Sequence, residues 1–570
     1  MLLQLFRSLL PFENPIGFGA SDFVELFIAA VLLGLVLFGP AMERAFRALG
    51  QRTAWCMLLL ALLPVVLRLA LLTNHPAPSP INYREFTQLL VADTLRHLRL
   101  ANPAQPLPQF FETLGVIQTP SYSSVDPPGQ GMVLVFGRAV FGHPWAGVLL
   151  STAAFCSLCY WMLRAWTTPG WALAGGLLAV FEFGPLNQWT NSYAGGAASA
   201  AAACLVFGSL PRINANGRVR DAVLLGLGIG GFLLALPFQS GLLIASAAVY
   251  LLRTERSRVL RAALVALLLI LPALLLVGFH NKAVTGSWTM SPAALNRYQY
   301  GAHRDLTPQQ QTFSQMQISL RGAKPEGFAS YLSRLEYRIR LYRFFLPAPM
   351  YIAVLAFVFA IRSFPDVWLM LTLAIFVLGA NFEPDVDLAS WAGFAPLLIL
   401  VSVRGLQQLS RFRIGGPVGR LAARLILFLC AAQFLFWYGL HLFETHAAAA
   451  EMMRYETWDS INHKGLERRA PIYQELARLP GRQLVFVHYA PAHNYQDEWV
   501  YNDADIGSAR AIWARDLGPP ENQKLQSYYP GRSVWLLDPD ETPLKLVPYE
   551  PQNDVPPKPK KQISPFEEVH

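Results

Sequence analysis

Long apolar runs recur along the whole chain and alternate with shorter polar connections. A helix needs about 20 mostly apolar residues to cross a bilayer, and somewhat shorter runs can cross where the bilayer thins or flanking charges snorkel. This rule predicts roughly twelve crossings, so we expect an α-helical polytopic membrane protein. The crossings are predicted to begin near Phe23, Trp55, Trp145, Trp171, Gly195, Asp221, Gly241, Ala262, Phe345, Asp366, Ser390 and Leu421.

The composition agrees with this pattern. Of the 570 residues, 53% are hydrophobic and only 15% are charged, which is unlike a soluble domain of this size. The net charge of +9 is compatible with nucleic-acid binding, but most Lys and Arg residues lie in short connections beside apolar runs. There they set membrane orientation, so no nucleic-acid partner is predicted. The five cysteines all lie within apolar runs, which indicates neither a disulfide framework nor a thiolate metal site.

The basic connections also predict the orientation. Arginines cluster in residues 44–52, 212–220, 253–261 and 404–424, and all four clusters share one side if the N-terminus is outside. By the positive-inside rule that side is the cytoplasm. Both termini and the long connections are then predicted to be extracytoplasmic.

The chain divides into three predicted parts. Residues 1–441 form the transmembrane domain, with a first external loop at 74–143 and a long external loop at 280–343. Residues 442–550 form an extracytoplasmic α/β domain, and the Pro- and Lys-rich segment 551–570 is expected to be disordered. Within the α/β domain, we expect helices over 447–479 and near 508–517, with QLVFVHYA and SVWLLDP as buried strands.

The first external loop contains the strongest candidates for chemistry. Its segment from Tyr83 to Leu100 has the spacing of an amphipathic helix that lies on the membrane surface. Glu85 and Asp93 are two helical turns apart, so they share one face approximately. A carboxylate there is placed to take a proton from an acceptor hydroxyl while a lipid phosphate leaves. The alternative is a surface helix whose charges simply face water.

A second short helix is predicted to open at the two prolines of the sequence TPSYSSVDPPGQG and to continue through GQGMVLVFGRAVFG. Pro127 and Pro128 suit a helix start, and Gly142 suits its end. This helix is too short to cross the bilayer and would lie beside the membrane. Asp126 is either a cap at its N-terminus or a third candidate acid.

Cationic and aromatic side chains near the outer ends of the runs supply candidate ligands. Guanidinium groups bind phosphate in two-point geometry, whereas a single cation beside a bilayer can equally face lipid headgroups. Aromatic rings can stack on a sugar, or anchor the protein at the interface. The candidates are Arg84, His97, Arg99, Arg297 and Arg304 for a donor phosphate, and Tyr122, Trp189 and Tyr193 for a sugar or acceptor. No metal or other cofactor is predicted, since His and carboxylate side chains do not cluster at helical spacing.

Several long motifs, taken in order, resemble the GT-C class of membrane glycosyltransferases. The matching parts are Ala92–Thr94 with His97, Arg99, Leu100, Asn102 and Pro103; Pro120–Gly131; Asn187–Gly196; Asn281, Thr285 and Gly286; and His493-Asn494 with DEWVYNDADI. The resemblance is to family-39-like bacterial relatives of polyprenyl- and dolichyl-phosphate-mannose and aminoarabinose transferases. It implies an inner-membrane enzyme of the cell envelope that transfers a sugar, with inversion, from a polyprenyl-phosphate donor to a glycan, lipid or protein acceptor outside the cytoplasm. It also implies that an acid in the first external loop is the base.

The sequence departs from this class at polar positions. Arg84 stands where an aspartate is expected, which leaves Glu85, and Asp126 stands where an aromatic residue is expected. Ala194, Ala392 and Gly393 also replace expected aromatic or polar residues. Either the site has been rebuilt around Glu85, Asp93 and Asp126, or the chain is a non-catalytic protein that binds lipid-linked glycans or acts as a scaffold.

Overall fold

A computed structural model describes residues 28, 31, 39–301, 328–342, 345–383, 388–412, 418–443, 466–490, 493 and 497–550. Helices make up most of the part before residue 443. In chain order they are α1 Gly39–Gly50, α2 Thr53–Ala70, α3 Tyr83–Arg96, α4 Pro128–Phe141, α5 Pro144–Leu163, α6 Pro169–Phe183, α7 Gln188–Asn191, α8 Ala197–Asn216, α9 Val219–Ala235, α10 Pro237–Leu251, α11 Arg256–Thr285, α12 Pro292–Gly301, α13 Phe328–Tyr342, α14 Met350–Phe359, α15 Phe364–Ala380, α16 Ala395–Leu409 and α17 Val418–Leu442.

The apolar helices agree in position with the predicted crossings. Eleven of the predicted starts fall within a helix or a few residues before one, and the start near Phe23 lies outside the described residues. Among the described helices, α2, α5, α11 and α17 are long and apolar enough to cross a membrane, and five others are apolar but shorter. The chain is therefore a multi-pass membrane protein, while the number of crossings stays a prediction.

The largest hydrophobic core lies where α5, α6 and α8 pack together with α16. Trp189 is central to one end of this core: its ring stacks on Phe183 at 4.7 Å and meets Phe345 edge-on at 5.6 Å. All five cysteines are free and buried, as their position in apolar runs predicted. They contribute to packing, as small hydrophobic side chains do.

Two glycines allow α4 and α5 to touch along their backbones. A Cβ atom on Gly137 would lie 2.2 Å from the Gly147 nitrogen, and one on Gly147 would lie 2.1 Å from the Val133 carbonyl oxygen. We expect Gly147→Ala to push the helices apart and lower the free energy of unfolding by about 1–3 kcal/mol, the usual range for overpacking. Thermal unfolding of the detergent-solubilised protein measures this. Gly241→Ala on α10, which meets no atom within 4 Å, is the matched control; equal midpoints for the two variants would contradict the expectation.

The first loop, residues 74–143, folds into α3, three short strands and α4. The strands are β1 Asn102–Pro103, β2 Val116–Ile117 and β3 Ser121–Ser124, paired antiparallel in the order β1-β3-β2. α4 spans Pro128–Phe141 and ends at Gly142, which confirms the predicted short helix. The strands were not predicted, because two- to four-residue segments leave no measurable alternation.

α3 is shorter than predicted. It ends at Arg96 rather than Leu100, because His97 is its C-cap and Leu98 adopts a left-handed backbone with φ 55°. The amide of Arg99 then donates to the Thr94 carbonyl and closes the last turn, at 3.2 Å. The Leu98 side chain is 96% exposed.

The described part of the chain after residue 465, here called the C-terminal unit, is an α/β fold. α18 Leu466–Arg478 is followed by β4 Arg482–Val487, β5 Ala511–Arg515, α19 Pro519–Tyr528, β6 Arg532–Leu537 and β7 Leu546–Pro548. The sheet order is β5-β4-β6-β7, with β7 alone antiparallel. Residues 447–465 of the predicted helix lie outside the described residues.

The prediction of a helix near 508–517 is wrong. Residues Ala511–Arg515 form strand β5, which pairs in parallel with β4 and has four buried residues in succession. A short apolar run that is buried on both faces loses the alternation of a surface strand, so periodicity cannot identify it. The helix comes later, after Gly518, where two prolines begin α19.

A pH-dependent contact joins two strand ends in the C-terminal unit. His488 follows β4, and its Nδ1 lies 2.9 Å from Oδ2 of Asp516, which follows β5. The hydrogen bond with Asp516 raises the pKa of His488 above its ordinary 6.5. A histidine pKa raised by folding adds stability that is complete below the unfolded pKa and is lost as pH rises through the folded pKa.

We therefore expect the unfolding midpoint of the C-terminal unit to fall as the pH is raised from 6.5 through the folded pKa of His488. His488→Gln should weaken this dependence. Tryptophan fluorescence at a series of pH values measures both. An unchanged pH profile in His488→Gln would show that another group is responsible.

Candidate active site

The start of α3 is fixed by a reciprocal cap. The Asn82 side chain accepts from the Glu85 amide at 3.2 Å, and Glu85 Oε2 accepts from the amides of Asn82 at 3.2 Å and Ile81 at 2.9 Å. This is a capping box, in which the two side chains satisfy each other's unpaired backbone donors. The Asn82-x-x-Glu85 signature was present in the sequence and could have identified this role.

Glu85 also joins α3 to the segment that follows α7. Its Oε1 accepts from the Tyr193 amide at 3.1 Å, and the Ser192 hydroxyl donates to the same carboxylate. Burial raises the pKa of Glu85, and these hydrogen bonds oppose the shift. The side chain is 1% exposed, so its charge does not face water. Both carboxylate oxygens of Glu85 therefore accept hydrogen bonds from backbone amides.

Asp126 occupies a different environment, one made of side chains. Its Oδ1 lies 3.3 Å from Nη1 of Arg84, and its Oδ2 is hydrogen-bonded to the Thr87 hydroxyl and lies 3.5 Å from Oγ of Ser124. The expected cap is therefore wrong: Pro127 is the N-cap residue of α4, and no side chain caps that helix. The rigid Pro127-Pro128 pair keeps the carboxylate off the helix axis and beside α3.

Arg84 and Asp126 thus form a nearly buried ion pair. Only 19% of the Arg84 side chain and 6% of the Asp126 side chain are exposed. Nε of Arg84 also donates to the Tyr83 hydroxyl at 3.0 Å. Two of the positions at which the sequence departs from the GT-C pattern therefore contact each other, across 42 residues of chain.

Asp93 points toward the C-terminal unit. Its Oδ2 accepts from the Ala504 amide at 3.0 Å, and its Oδ1 lies 3.4 Å from Arg96 and 3.9 Å from Arg138. The three candidate acids therefore do not converge: Glu85 holds backbone, Asp93 holds the C-terminal unit, and Asp126 lies among side chains.

The candidate phosphate ligands are also spread out. Arg84 lies at the first turn of α3, whereas His97 and Arg99 follow its last turn and are exposed. Arg297 is exposed on α12, where its Nε donates to the Ala293 carbonyl at 3.3 Å. Arg304 lies outside the described residues.

The three aromatic residues that were predicted to contact a sugar, Tyr122, Trp189 and Tyr193, are all at most 3% exposed. Tyr122 donates to the Asn502 carbonyl at 3.1 Å, and Tyr193 donates to the Pro78 carbonyl at 2.7 Å. The two tyrosines therefore join separate segments of the fold, and a sugar contact stays a prediction for all three residues.

The C-terminal unit packs directly on α3. Phe86 stacks on Tyr501 with ring centroids 4.4 Å apart, and the Arg469 guanidinium lies 4.8 Å from the Phe86 ring centroid. The hydrophobic cluster there draws residues from α3, from β2 and β3, and from β4 and β5. This interface was not predicted, because its two sides are far apart in the sequence and leave no local pattern.

Within the described ranges, no group of three or more His, Cys, Asp or Glu side chains is arranged to hold a metal ion.

Comparison with known proteins gives similarity in structure alone. No family model matches the sequence, and no curated protein matches it. Crystal structures of ArnT from Cupriavidus metallidurans, in the apo state and bound to undecaprenyl phosphate, are similar to this chain with 13% identity and a TM-score of 0.49 each. The apo structure covers 86% of this chain and 93% of its own; the bound one covers 85% and 93%.

The oligosaccharyltransferase AglB from Archaeoglobus fulgidus, in complex with an inhibitory peptide and a dolichol-phosphate, has 12% identity and a TM-score of 0.46, over 85% of this chain and 69% of its own. ArnT and AglB both belong to the GT-C class that the sequence motifs resemble. At these identities the comparison concerns the overall structure and assigns no role to any residue.

Proposed function

We propose that this protein transfers a sugar from a polyprenyl-phosphate donor to a hydroxyl-bearing acceptor outside the cytoplasm, with inversion at the sugar carbon, and that Asp126 is the base. The acceptor oxygen bonds to the anomeric carbon, the bond from that carbon to the phosphate oxygen breaks, and the phosphate leaves with the bonding electrons. The acceptor proton passes to the Asp126 carboxylate.

The environment of Asp126 is the observation that supports this assignment. A general base must reach the proton it removes, and its own partners must be able to release it. Asp126 contacts a guanidinium and two hydroxyls, all on side chains that can rotate. Glu85, by contrast, accepts from three backbone amides, two at the start of α3 and one after α7, and backbone donors cannot rotate away as side chains can.

Arg84 and Glu85 are positioning residues in this proposal. Arg84 directs one carboxylate oxygen of Asp126 and leaves the other to the hydroxyls of Thr87 and Ser124. Glu85 fixes the start of α3 against Tyr193 and so fixes the direction from which Arg84 extends. On this basis the exchanged residues at the two positions form a rebuilt site.

The test is sugar transfer by the purified protein in lipid nanodiscs. Labelled polyprenyl-phosphate hexoses, pentoses and aminosugars are supplied with a membrane glycan extract as acceptor, and the release of polyprenyl phosphate and the anomeric configuration of the product are measured. Transfer with inversion supports the proposal. Donor binding without transfer, across the whole panel, overturns it.

A non-catalytic lipid-glycan binding protein is the second candidate. The Arg84–Asp126 pair favours it, because an ion pair that is nearly buried is costly to open once formed. Under this alternative the pair is permanent, and donors bind without turnover.

A further inference from the structure

A small cavity lies between α3, β3 and α11, beyond Ser124 from the Asp126 carboxylate. Its polar lining comprises Thr94, Arg99, Ser123, Ser124 and His280, and its other walls are apolar side chains of α3 and the following turn. Its volume is about 10 Å³, which suits one oxygen-sized group. His280 was not among the predicted site residues.

His280 is the unusual member of this lining. It lies five residues before the end of α11, a helix long and apolar enough to cross a membrane, and it is 4% exposed. Within the described chain its ring has no hydrogen-bond partner, although it borders the cavity. Buried polar groups are normally paired, so a histidine without a partner beside a cavity indicates a missing group.

A second buried atom nearby is also unpaired. Asn102 donates to the Thr94 hydroxyl at 2.8 Å, and its own Oδ1 has no partner among the described residues. The exposed Arg99 guanidinium is at the same cavity and stays charged at all ordinary pH values.

The charge around the cavity favours an anion. The carboxylate linked to the lining is that of Asp126, which accepts from Ser124 and is itself paired with Arg84 at 3.3 Å. Asp126 therefore does not neutralise the positive charge of Arg99. Hydroxyl, imidazole and guanidinium donors together match the oxygens of a phosphoryl group.

The geometry points to this cavity as the seat of one non-bridging oxygen of a phosphoryl group, with the His280 ring donating to that oxygen and Arg99 holding the rest of the group at the mouth. This assignment rests on the proposed function in one respect, that the phosphoryl group belongs to the lipid-linked donor. Ser124 then lies between the phosphoryl group and Asp126, on the path between leaving group and base.

The test is direct binding, measured apart from transfer. The full-length protein in nanodiscs of neutral lipid is titrated with polyprenyl phosphate, with the unphosphorylated polyprenol, and with inorganic phosphate as competitor. We expect polyprenyl phosphate to bind and polyprenol not to bind. His280→Leu and Arg99→Gln should each raise the Kd about 10- to 100-fold, as loss of a charge-assisted hydrogen bond does. His280→Gln, which keeps one donor, should lose less.

Arg96→Gln is the matched control, since Arg96 is exposed on the same helix but does not line the cavity. Competition by inorganic phosphate identifies the phosphoryl group itself as the ligand; its failure to compete indicates that the lipid chain is also required. A Kd in His280→Leu equal to that of the wild type, with a wild-type unfolding midpoint, overturns the assignment and leaves a bound water as the occupant.

Failure of this inference and failure of the proposed function give different results. Binding that depends on His280 without any sugar transfer retains the phosphoryl site and rejects the enzyme. Transfer that proceeds with an unchanged donor Kd in His280→Leu retains the enzyme and rejects the site.

Discussion

Asp126→Asn is expected to lower the rate of sugar transfer at saturating donor by about 10²- to 10⁴-fold, the usual contribution of a general base. The amide has nearly the shape of the carboxylate. Its oxygen can still accept from Arg84, and the Thr87 and Ser124 hydroxyls can rotate to accept from its NH2 group, but it cannot take the acceptor proton. The donor Kd should change little, whereas the unfolding midpoint should fall, because Arg84 loses its nearly buried counter-charge. Single-turnover measurement of polyprenyl phosphate release gives the rate of the chemical step directly.

Two further variants show whether this loss is specific. Glu85→Gln should lower the unfolding midpoint. One carboxylate oxygen of Glu85 is replaced by an NH2 group, which is itself a donor and faces backbone N–H groups at the capping box. Asp505→Asn, on an exposed side chain of the C-terminal unit, should leave both rate and midpoint unchanged. Transfer by Asp126→Asn at the wild-type rate would remove Asp126 from the mechanism.

Arg515→Met should destabilise the C-terminal unit by about 3–5 kcal/mol, since removal of one partner leaves the other charge buried and uncompensated. Nη2 of Arg515 lies 2.5 Å from Oε2 of Glu498, and the two side chains are 6% and 3% exposed. Nε of Arg515 also donates to the Glu112 carbonyl at 2.6 Å, so the change should loosen the contact with the first loop. Chemical denaturation followed by the fluorescence of Trp499 and Trp513 measures the loss.

The double variant Arg515→Met/Glu498→Leu should recover most of this stability, because a buried ion pair replaced on both sides by apolar groups is often neutral. Lys524→Gln is the control. Its pair with Glu521 is exposed, at 59% and 39%, and such pairs contribute about 0–1 kcal/mol. A double variant no more stable than Arg515→Met would show that the hydrogen bond to Glu112, rather than the unpaired charge, accounts for the effect.

Patterns of local composition were sufficient to locate the helices. The apolar runs near Trp55, Trp145 and Ala262 are helices because length and hydropathy act within one segment. The proline pair and Gly142 likewise set both ends of α4. Strand β5 was mistaken for a helix because its apolar run is buried on both faces, which depends on partners elsewhere in the chain.

The candidate site was only partly predictable for the same reason. The sequence identified Arg84 and Asp126 as departures from a family pattern, but not that they contact each other, since 42 residues separate them. The sequence could not show that the Glu85 carboxylate would accept a hydrogen bond from the Tyr193 amide. Nor could it show that His280 and Ser124 would line the same cavity. Each of these facts is a long-range contact, for which one sequence has no local signal.

The packing of the C-terminal unit on α3 has a consequence for biosynthesis. The Ala504 amide reaches Asp93 across 411 residues of sequence, so a segment synthesised after the described membrane helices supplies a contact to a helix of the first loop. Until then, Phe86 lacks Tyr501 and the face of α3 that the C-terminal unit covers is bare. In a nascent chain, the membrane helices are therefore synthesised before the C-terminal unit can pack on α3. Premature termination after residue 443 would leave a membrane protein with every described helix of the bundle but an unsupported site.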